Sequence, residues 1–388
     1  MSATPTIYLD GNATTQVDPR VSAAIAEVWN RPGNASSRVN ACGREAQRQL
    51  ATAAEQLASL CGGKADEILW TSGATEANNM AIRGSGAVYR EHVMSCATEH
   101  ASVLESIRAL PCSGSEEFAE RRILTVGPSG RLSPEQVMRS MTDSIRLVSF
   151  MLVNNEIGVI HPIAEIANAI ADRYPNTLVH CDASQAAATL PIDVRALGVD
   201  MLSLSAHKMY GPQGIGALWI REGVDVRSSM VGGNQQRGRR PGTTPVALAV
   251  GFGEAARICE SEREGDARRI ADLREELLRH LQQGTTGVHL NGDAQFRVAG
   301  NLNIAFDDVF AEDLIEAVPE LELSVGSACH GNEVTTSHVL RALGTPERLH
   351  ASIRIGLGRH TTSDEIQRAA DVLLRAVAEL RALTRACG

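Results

Sequence analysis

The sequence predicts an α/β protein with a large, mostly parallel sheet domain and a smaller α+β domain. Short apolar runs alternate with helix-like segments between Glu67 and Ile220, a pattern typical of strand–helix units in a parallel sheet covered on both faces. After about Arg257 this alternation stops, and a charged amphipathic helix, Asp266 to Gln283, follows. We therefore expect a large domain over 15–257 and a small domain made of 1–14 and 258–388.

The individual elements follow from local signals. Asp18-Pro19 favours a helix start, because an N-cap is followed by proline at the first helical position, and that helix should run to about Asn30. A second periodic segment, Glu45 to Leu60, ends at glycine. The predicted strands of the large domain are Glu67–Thr71, His92–Cys96, Ile145–Val153, Leu178–Asp182, Met201–Ser205 and Ile215–Ile220. The small domain should contain strands near Asn301–Phe306 and Ser352–Leu357 and a last helix over Asp364–Leu383.

Composition excludes several classes of protein. The chain has 388 residues and a formal net charge of -9, so anionic membranes and nucleic acid would repel it, and no direct nucleic-acid binding is expected. No apolar run is long enough to span a bilayer, and the N-terminus lacks the features of a signal peptide, so we expect a cytoplasmic protein. The eight cysteines form no C-x-x-C pair, and no metal site is predicted.

Candidate functional residues follow the predicted strands, where parallel sheets bind their ligands. Ser72 to Glu76 opens a helix, and its small residues suit a phosphate, although a plain capped helix would look the same. Asp182 ends a strand, where it could pair with a protonated pyridine nitrogen or simply cap a helix. Lys208 follows Ser205 and His207 at another strand end. Because a buried lysine is costly unless it is paired or used covalently, Lys208 is a candidate for covalent catalysis.

These segments, in this order, resemble fold-type I pyridoxal-phosphate (PLP) enzymes of the class V aminotransferase group. More narrowly, the chain resembles the cysteine desulfurases of the bacterial iron–sulfur-assembly type. The resemblance runs nearly end to end. The motifs that carry it are L-D-G-N-A-T-T at 9–15, T-S-G-A-T-E at 71–76, T-E-H at 98–100, V-N-N-E-I-G at 153–158, S-A-H-K at 205–208, G-S-A-C at 326–329 and R-I-G-L-G-R at 354–359.

The resemblance implies a role for each matching residue. Lys208 would bind PLP covalently and shuttle protons, Asp182 would keep the pyridine nitrogen protonated, and His100 would stack on the ring and act in acid–base steps. Ala74, Thr75, Ser205 and His207 would hold the phosphate, Gln185 would contact the ring oxygen, and Asn154 and Arg354 would grip the substrate carboxylate, with Asn154 also beside the cofactor. The family is dimeric, and Thr243 matches a threonine that reaches the phosphate of the partner subunit.

Cys329 is the residue that distinguishes a desulfurase from related PLP enzymes. It lies among small residues from Ser324 to Asn332, a setting suited to a mobile nucleophile, although a structural cysteine before a surface loop is the alternative. The resemblance implies that Cys329 takes sulfur from L-cysteine as a persulfide, that alanine is released, and that the sulfur passes to an acceptor protein.

Several alternatives remain open at this stage. A selenocysteine lyase, a kynureninase-like enzyme or an aminotransferase would not need Cys329, and a non-catalytic scaffold could keep the same fold. The acceptor could serve iron–sulfur assembly, tRNA thiolation or DNA phosphorothioation. The chain also departs from the common family pattern, with His330 in place of threonine, Thr336 in place of proline, and Asn234, Gln236 and Pro241 in place of glycine, glutamate and serine.

Overall fold

The computed structural model describes residues 6–86, 89–113, 122–325 and 336–387. Within them it confirms the expected α/β architecture: one large sheet and two small ones. The strands are β1 (Ile7–Tyr8), β2 (Ile68–Thr71), β3 (Val93–Cys96), β4 (Ile123–Leu124), β5 (Leu147–Met151), β6 (Leu178–Asp182), β7 (Met201–Ser205), β8 (Gly216–Ile220), β9 (Val288–Leu290), β10 (Asn301–Phe306), β11 (Leu321–Glu322), β12 (Ser324–Val325) and β13 (Ser352–Gly356).

The seven-stranded sheet has the order β2-β8-β7-β6-β5-β3-β4. Only β8 runs antiparallel to its neighbours, so the carboxyl ends of the other strands meet at one edge. The strands β5 and β7 are buried along their whole length, which explains their continuous apolar sequence. The four-stranded sheet β12-β13-β10-β9 is antiparallel, and β1 pairs with β11.

The helices cover the large sheet and complete the second sheet. They are α1 (Pro19–Trp29), α2 (Ala41–Cys61), α3 (Ala74–Gly84), α4 (Ala101–Arg108), α5 (Pro134–Ser140), α6 (Ile163–Arg173), α7 (Val194–Leu197), α8 (Val246–Gly284), α9 (Ala311–Ala317), α10 (His338–Ala342) and α11 (Ser363–Cys387). The Asp18 carboxylate caps α1, as expected, by accepting from the Arg20 amide at 2.9 Å. Helix α2 begins earlier than its apolar period predicts, because the Asn40 side chain caps it at the Gly43 amide. No helix among the residues in these ranges is long and apolar enough to cross a membrane.

Helix α8 joins two separate hydrophobic cores. Its first half, including Phe252, packs into the core of the large sheet, whereas Ile270 and Leu277 belong to the core around the four-stranded sheet. Ile7 and Leu9, from the N-terminal segment, also lie in this second core. The domain boundary expected at 257 therefore falls inside one continuous helix of 39 residues. We propose the two cores as the large and small domains.

An irregular segment after β8 covers the edge of the large sheet at β2. The Gln236 side chain accepts a hydrogen bond from the Trp70 amide at 2.7 Å and donates one to the Trp70 carbonyl oxygen at 2.9 Å. Gln236 has a φ of 48°, a left-handed conformation that a non-glycine residue rarely adopts. The paired hydrogen bonds thus hold a strained residue and satisfy backbone groups of an edge strand. A glutamate, common at this position in the family that the chain resembles, could not form both bonds when ionised.

We predict that Gln236→Glu destabilises the fold by about 1–3 kcal/mol at neutral pH, because the carboxylate would face the Trp70 carbonyl oxygen without a proton to donate. The free energy of unfolding in urea measures this loss, which should shrink at acidic pH as the carboxyl group protonates. Gln235→Glu is the matched control, because the Gln235 side chain uses only its oxygen, to accept from the Gly242 amide. Equal stability losses in both variants would contradict the account.

Candidate active site

A cavity of about 670 Å³ opens at the carboxyl ends of the parallel strands. Its walls come from both cores. The large sheet contributes residues that follow β2, β3, β5, β6 and β7, and the second sheet contributes Arg354 from β13. The N-terminal segment closes one side with Asn12, Ala13 and Thr14. Most of the candidate residues from the sequence lie at this edge.

Lys208 enters the cavity from a single 3-10 turn that follows β7. Its Nζ donates to the carbonyl oxygens of Asn12 at 2.5 Å and Ala13 at 2.8 Å. The Gln185 side chain donates to the same Asn12 oxygen at 2.8 Å. The lysine ammonium is therefore held between the end of β7 and the N-terminal segment.

His207, beside Lys208, also lines the cavity and bonds Thr14. Its Nδ1 lies 3.1 Å from the Thr14 hydroxyl oxygen. Burial first, and the charge of Lys208 second, lower the pKa of His207 to about 4. The ring is therefore neutral at physiological pH and can both donate and accept a hydrogen bond.

Asp182 ends β6 with a nearly buried carboxylate whose two oxygens both accept hydrogen bonds. Oδ1 accepts from the Ser184 amide at 3.0 Å and the Ser184 hydroxyl at 2.6 Å, and Oδ2 accepts from Nδ2 of Asn78 at 2.7 Å. His100 caps α4 from the same wall, and its Nδ1 accepts from the Ser102 amide at 3.1 Å. The site thus combines a fixed carboxylate with a fixed imidazole.

The first turn of α3 provides an anion site at the cavity wall. Gly73 precedes the helix without a side-chain cap, and Ala74 and Thr75 line the cavity with Ser205. Free amide groups and the helix dipole favour an anion at such a terminus. Gly216 in β8 packs against this turn so closely that a Cβ there would lie 2.6 Å from the Gly73 Cα. A side chain at position 216 would therefore displace the turn.

Arg354 lies at the opposite wall, in the middle of β13. Its Nη2 donates to Oδ1 of Asp10 at 3.0 Å, and its Nη1 donates to the Asn155 carbonyl oxygen at 3.3 Å. Its buried Nε has no hydrogen-bond partner among the described residues. The guanidinium also lines the cavity, and its planar fork matches the geometry of a carboxylate.

Two titratable residues that the sequence did not single out also line the cavity, Glu156 and His338. The Glu156 side chain is buried, with Oε2 accepting from the Ser337 hydroxyl at 2.5 Å. Burial raises the pKa of Glu156 to about 7, against the opposing effects of the Ser337 hydroxyl and the Arg354 charge. Nε2 of His338 lies 2.9 Å from the Glu99 carbonyl oxygen. The V-N-N-E-I-G motif could have indicated Glu156, whereas nothing in the sequence distinguished His338.

The structure does not bring every predicted residue into the cavity. Asn154 does not line it, because its side chain is fully buried and bonded to the Thr98 carbonyl oxygen and to the amides of Glu156 and Ile157. The amide of Asn154 therefore stabilises the turn after β5, and the next residue, Asn155, faces the cavity instead. This corrects the expectation that Asn154 contacts cofactor and substrate.

Two further candidates, Thr243 and Cys329, are not among the described residues that line the cavity. Thr243 is exposed and does not line the cavity, although the loop before it is attached to α3 by the Arg240–Glu76 ion pair at 2.9 Å. Cys329 falls in 326–335, outside the described residues. Elsewhere in the described ranges, no cluster of histidine, cysteine and acidic side chains could hold a metal ion.

Comparison with known proteins identifies the family. The profile described as aminotransferase class-V matches residues 7–369. The chain is 43% identical over 385 residues to cysteine desulfurase IscS of Anaeromyxobacter dehalogenans, covering 97% of this chain and 94% of that protein. A solved NifS-like protein superposes with a TM-score of 0.86 at 28% identity, covering 96% of this chain and 99% of that one. The solved structure of SspA in complex with cysteine superposes with a TM-score of 0.76 at 29% identity, covering 92% of this chain and 100% of that one.

The chain therefore belongs to the class-V aminotransferase family, and within it to the cysteine desulfurases. It is an enzyme of that group, as the sequence motifs indicated. The similarity on which this assignment rests extends over nearly the whole length of the chain.

Glu156→Gln should change how stability depends on pH. Because the pKa of Glu156 is about 7 in the folded chain and ordinarily 4.5, the folded state holds this proton more tightly than the unfolded state. The parent should therefore lose stability relative to the variant as pH rises between these two values, by on the order of 3 kcal/mol in total. Above that window the difference should stay constant. Urea unfolding over a pH series measures it, and a difference independent of pH would refute the buried, protonated carboxyl group.

Proposed function

We propose that this cysteine desulfurase takes sulfur from L-cysteine with Lys208, His100 and Cys329, and that its cavity holds pyridoxal phosphate. One observation carries the proposal. Lys208 lines a cavity with the buried carboxylate of Asp182 at the neighbouring strand end and the guanidinium of Arg354 at the opposite wall. A reactive amine, an acid and a carboxylate-binding cation are the groups that PLP chemistry on an amino acid needs.

The chemistry of the cavity residues fits pyridoxal phosphate. The uncapped first turn of α3, with Ala74, Thr75, Ser205 and His207 nearby, suits the phosphate. Asp182 suits a protonated ring nitrogen, because hydrogen bonds from Ser184 and Asn78 hold its carboxylate in a fixed orientation at the cavity wall. Gln185 and His100 also line the cavity, where Gln185 would contact the ring oxygen and His100 would cover the ring. A volume of about 670 Å³ is within the range of small-molecule sites.

Once bound, pyridoxal phosphate supplies an electron-withdrawing ring that stores the electron pair left when the α-proton departs. Lys208 Nζ is the group that removes this proton. The carbonyl oxygens of Asn12 and Ala13, which accept from Nζ, orient the amine on the cavity side of the turn. The neutral ring of His207 adds no second positive charge beside it at physiological pH.

The substrate carboxylate would bind Arg354. Its place in the cavity lining supports this role, and Asp10 holds the guanidinium in a fixed orientation through Nη2. Asn155, which lines the cavity, replaces Asn154 as the proposed amide contact. The similar protein SspA was solved in complex with cysteine, which further supports cysteine as the ligand of this cavity.

In the sulfur-transfer step, the Cys329 thiolate attacks the substrate sulfur. An S–S bond forms as the Cβ–S bond breaks, and the bonding electron pair remains with the carbon fragment. That fragment takes up a proton at Cβ, regains one at Cα and leaves as alanine. His100 is the proposed donor of a proton in these steps. Two hydrogen bonds support the participation of the segment that carries Cys329, because they fix its described flanks beside the cavity: Ser324 to Asp10 at 3.0 Å and Ser337 to Glu156.

The persulfide would then pass to an acceptor protein, and iron–sulfur assembly, tRNA thiolation and DNA phosphorothioation remain the candidate pathways. We also propose a homodimer in which Thr243 completes the phosphate site of the partner subunit. The exposure of Thr243 supports this, since a side chain that does not line the cavity of its own chain is accessible to a partner subunit. We also propose a cytoplasmic location, because a reducing compartment would keep free the six cysteines that the structure describes without a disulfide.

Cys329→Ser should separate α-proton removal from sulfur transfer. A hydroxyl cannot accept sulfur as a persulfide, so alanine release from L-cysteine should fall by a factor on the order of 10³ or more. Exchange of the α-proton with deuterium from solvent should continue, because Lys208 and Asp182 are unchanged. Mass spectrometry reports both quantities.

Cys42→Ser, at an exposed cysteine far from the proposed site in sequence, is the control and should retain full turnover. If Cys329→Ser released alanine at the parent rate, or if another cysteine carried the persulfide, a lyase-type reaction would replace the proposed one. Selenocysteine lyases and other class V enzymes are the rivals that this outcome would favour.

A further inference from the structure

Asn78, on α3, lies between the side chains of Asp182 and His100. The sequence did not single it out as a functional residue. Its side chain is fully buried. Its Nδ2 donates one hydrogen to Oδ2 of Asp182 at 2.7 Å and the other to the Ser102 hydroxyl oxygen at 2.9 Å. Its Oδ1 has no hydrogen-bond partner among the described residues. The amide therefore leaves its oxygen unsatisfied in order to direct both N–H groups into this contact.

The charge of Asp182 explains this orientation. A rotation of the Asn78 amide by half a turn would place Oδ1 against the carboxylate oxygen, and two acceptors at that distance repel. An ionised Asp182 therefore selects the state in which Nδ2 also faces Ser102. Because the Ser102 oxygen then accepts from Asn78, its own hydrogen is directed elsewhere.

That hydrogen reaches His100. The Ser102 hydroxyl oxygen lies 2.8 Å from Nδ1 of His100, and the Ser102 amide donates to the same nitrogen at 3.1 Å. A nitrogen that accepts from two donors cannot carry a hydrogen itself. The neutral ring must then hold its proton on Nε2, and protonation at Nδ1 would require Ser102 to reorient.

We propose that Asn78 is a positioning residue that uses the negative charge of Asp182, through Ser102, to hold His100 in the Nε2–H tautomer. Asp182, which is proposed to hold the ring nitrogen, would therefore also determine which nitrogen of His100 carries the proton. His100 is the residue proposed for the acid–base steps. His100 would enter the reaction as a hydrogen donor from Nε2. This inference rests on the proposed roles of Asp182 and His100, but the hydrogen-bond chain consists of protein atoms alone.

The test uses the full-length protein as purified, labelled with ¹⁵N-histidine, with the His100 signals identified by their loss in His100→Gln. In the parent, NMR should show an unprotonated Nδ1 and a protonated Nε2. Asn78→Leu keeps the volume but has no donor, so the Ser102 hydroxyl can turn to accept from Nδ1–H. Only the Ser102 amide then still favours the parent tautomer, and the Nδ1–H population should rise. Turnover should fall by about tenfold, the size of one lost hydrogen bond. Asn79→Leu is the matched control on the same helix, because its amide contacts only the Thr75 carbonyl oxygen, and it should keep the parent tautomer.

A second pair of variants carries the same test if Asn78→Leu fails to fold. Asn78→Ala, a smaller truncation that also lacks the donor, should raise the Nδ1–H population, whereas Ser102→Thr, which retains the hydroxyl, should keep the parent tautomer. An Nδ1–H tautomer in the parent, or a tautomer unchanged in both Asn78→Leu and Asn78→Ala, would overturn the proposal. Loss of bound cofactor or of turnover in the parent would count against the proposed function instead, since the tautomer measurement does not depend on either.

Discussion

The N-terminal segment from Asp10 to Thr15 provides the hydrogen-bond acceptors on which the rest of the site depends. Lys208 places an ammonium group at the mouth of an apolar sheet, and such a charge is stable there only if acceptors surround it. The carbonyl oxygens of Asn12 and Ala13 meet this need, and the Asp10 carboxylate does the same for Arg354. One short segment thus holds two cationic groups that line the cavity.

This arrangement also links the two cores. Ile7 and Leu9 are buried in the second core, while the Thr15 amide and hydroxyl bond the His207 carbonyl oxygen at the end of β7. Arg359 reinforces the connection from the other side, donating to Asp18 at 2.9 Å and to Asp266 at 2.7 Å. The cavity between the cores is therefore fixed by buried, charge-assisted hydrogen bonds, which are the strong class in proteins. Its geometry depends on residues that are far apart in the chain.

Sequence reasoning was most reliable where local signals decide structure. It predicted β6 and β7 residue for residue and the cap of α1, because apolar runs and capping residues act locally. It missed the first half of α8, where Gly253 lowers helix propensity but lets α2 approach, since a Cβ there would lie 2.7 Å from the Ala53 Cα. It also chose Asn154 over Asn155, because only the turn geometry decides which of two adjacent amides is buried. The link from Asn78 to His100 joins three elements and has no sequence signature.

The central claim is that Lys208, held by the Asn12 and Ala13 carbonyl oxygens, is the residue that binds pyridoxal phosphate covalently. Reduction of the purified protein with borohydride, followed by proteolysis and mass spectrometry, tests it most directly. The account predicts a pyridoxyl group on the peptide containing Lys208, and none after Lys208→Ala. A label on Lys64, the other lysine in the sequence, or no label on a protein that nevertheless releases alanine from cysteine, would contradict it.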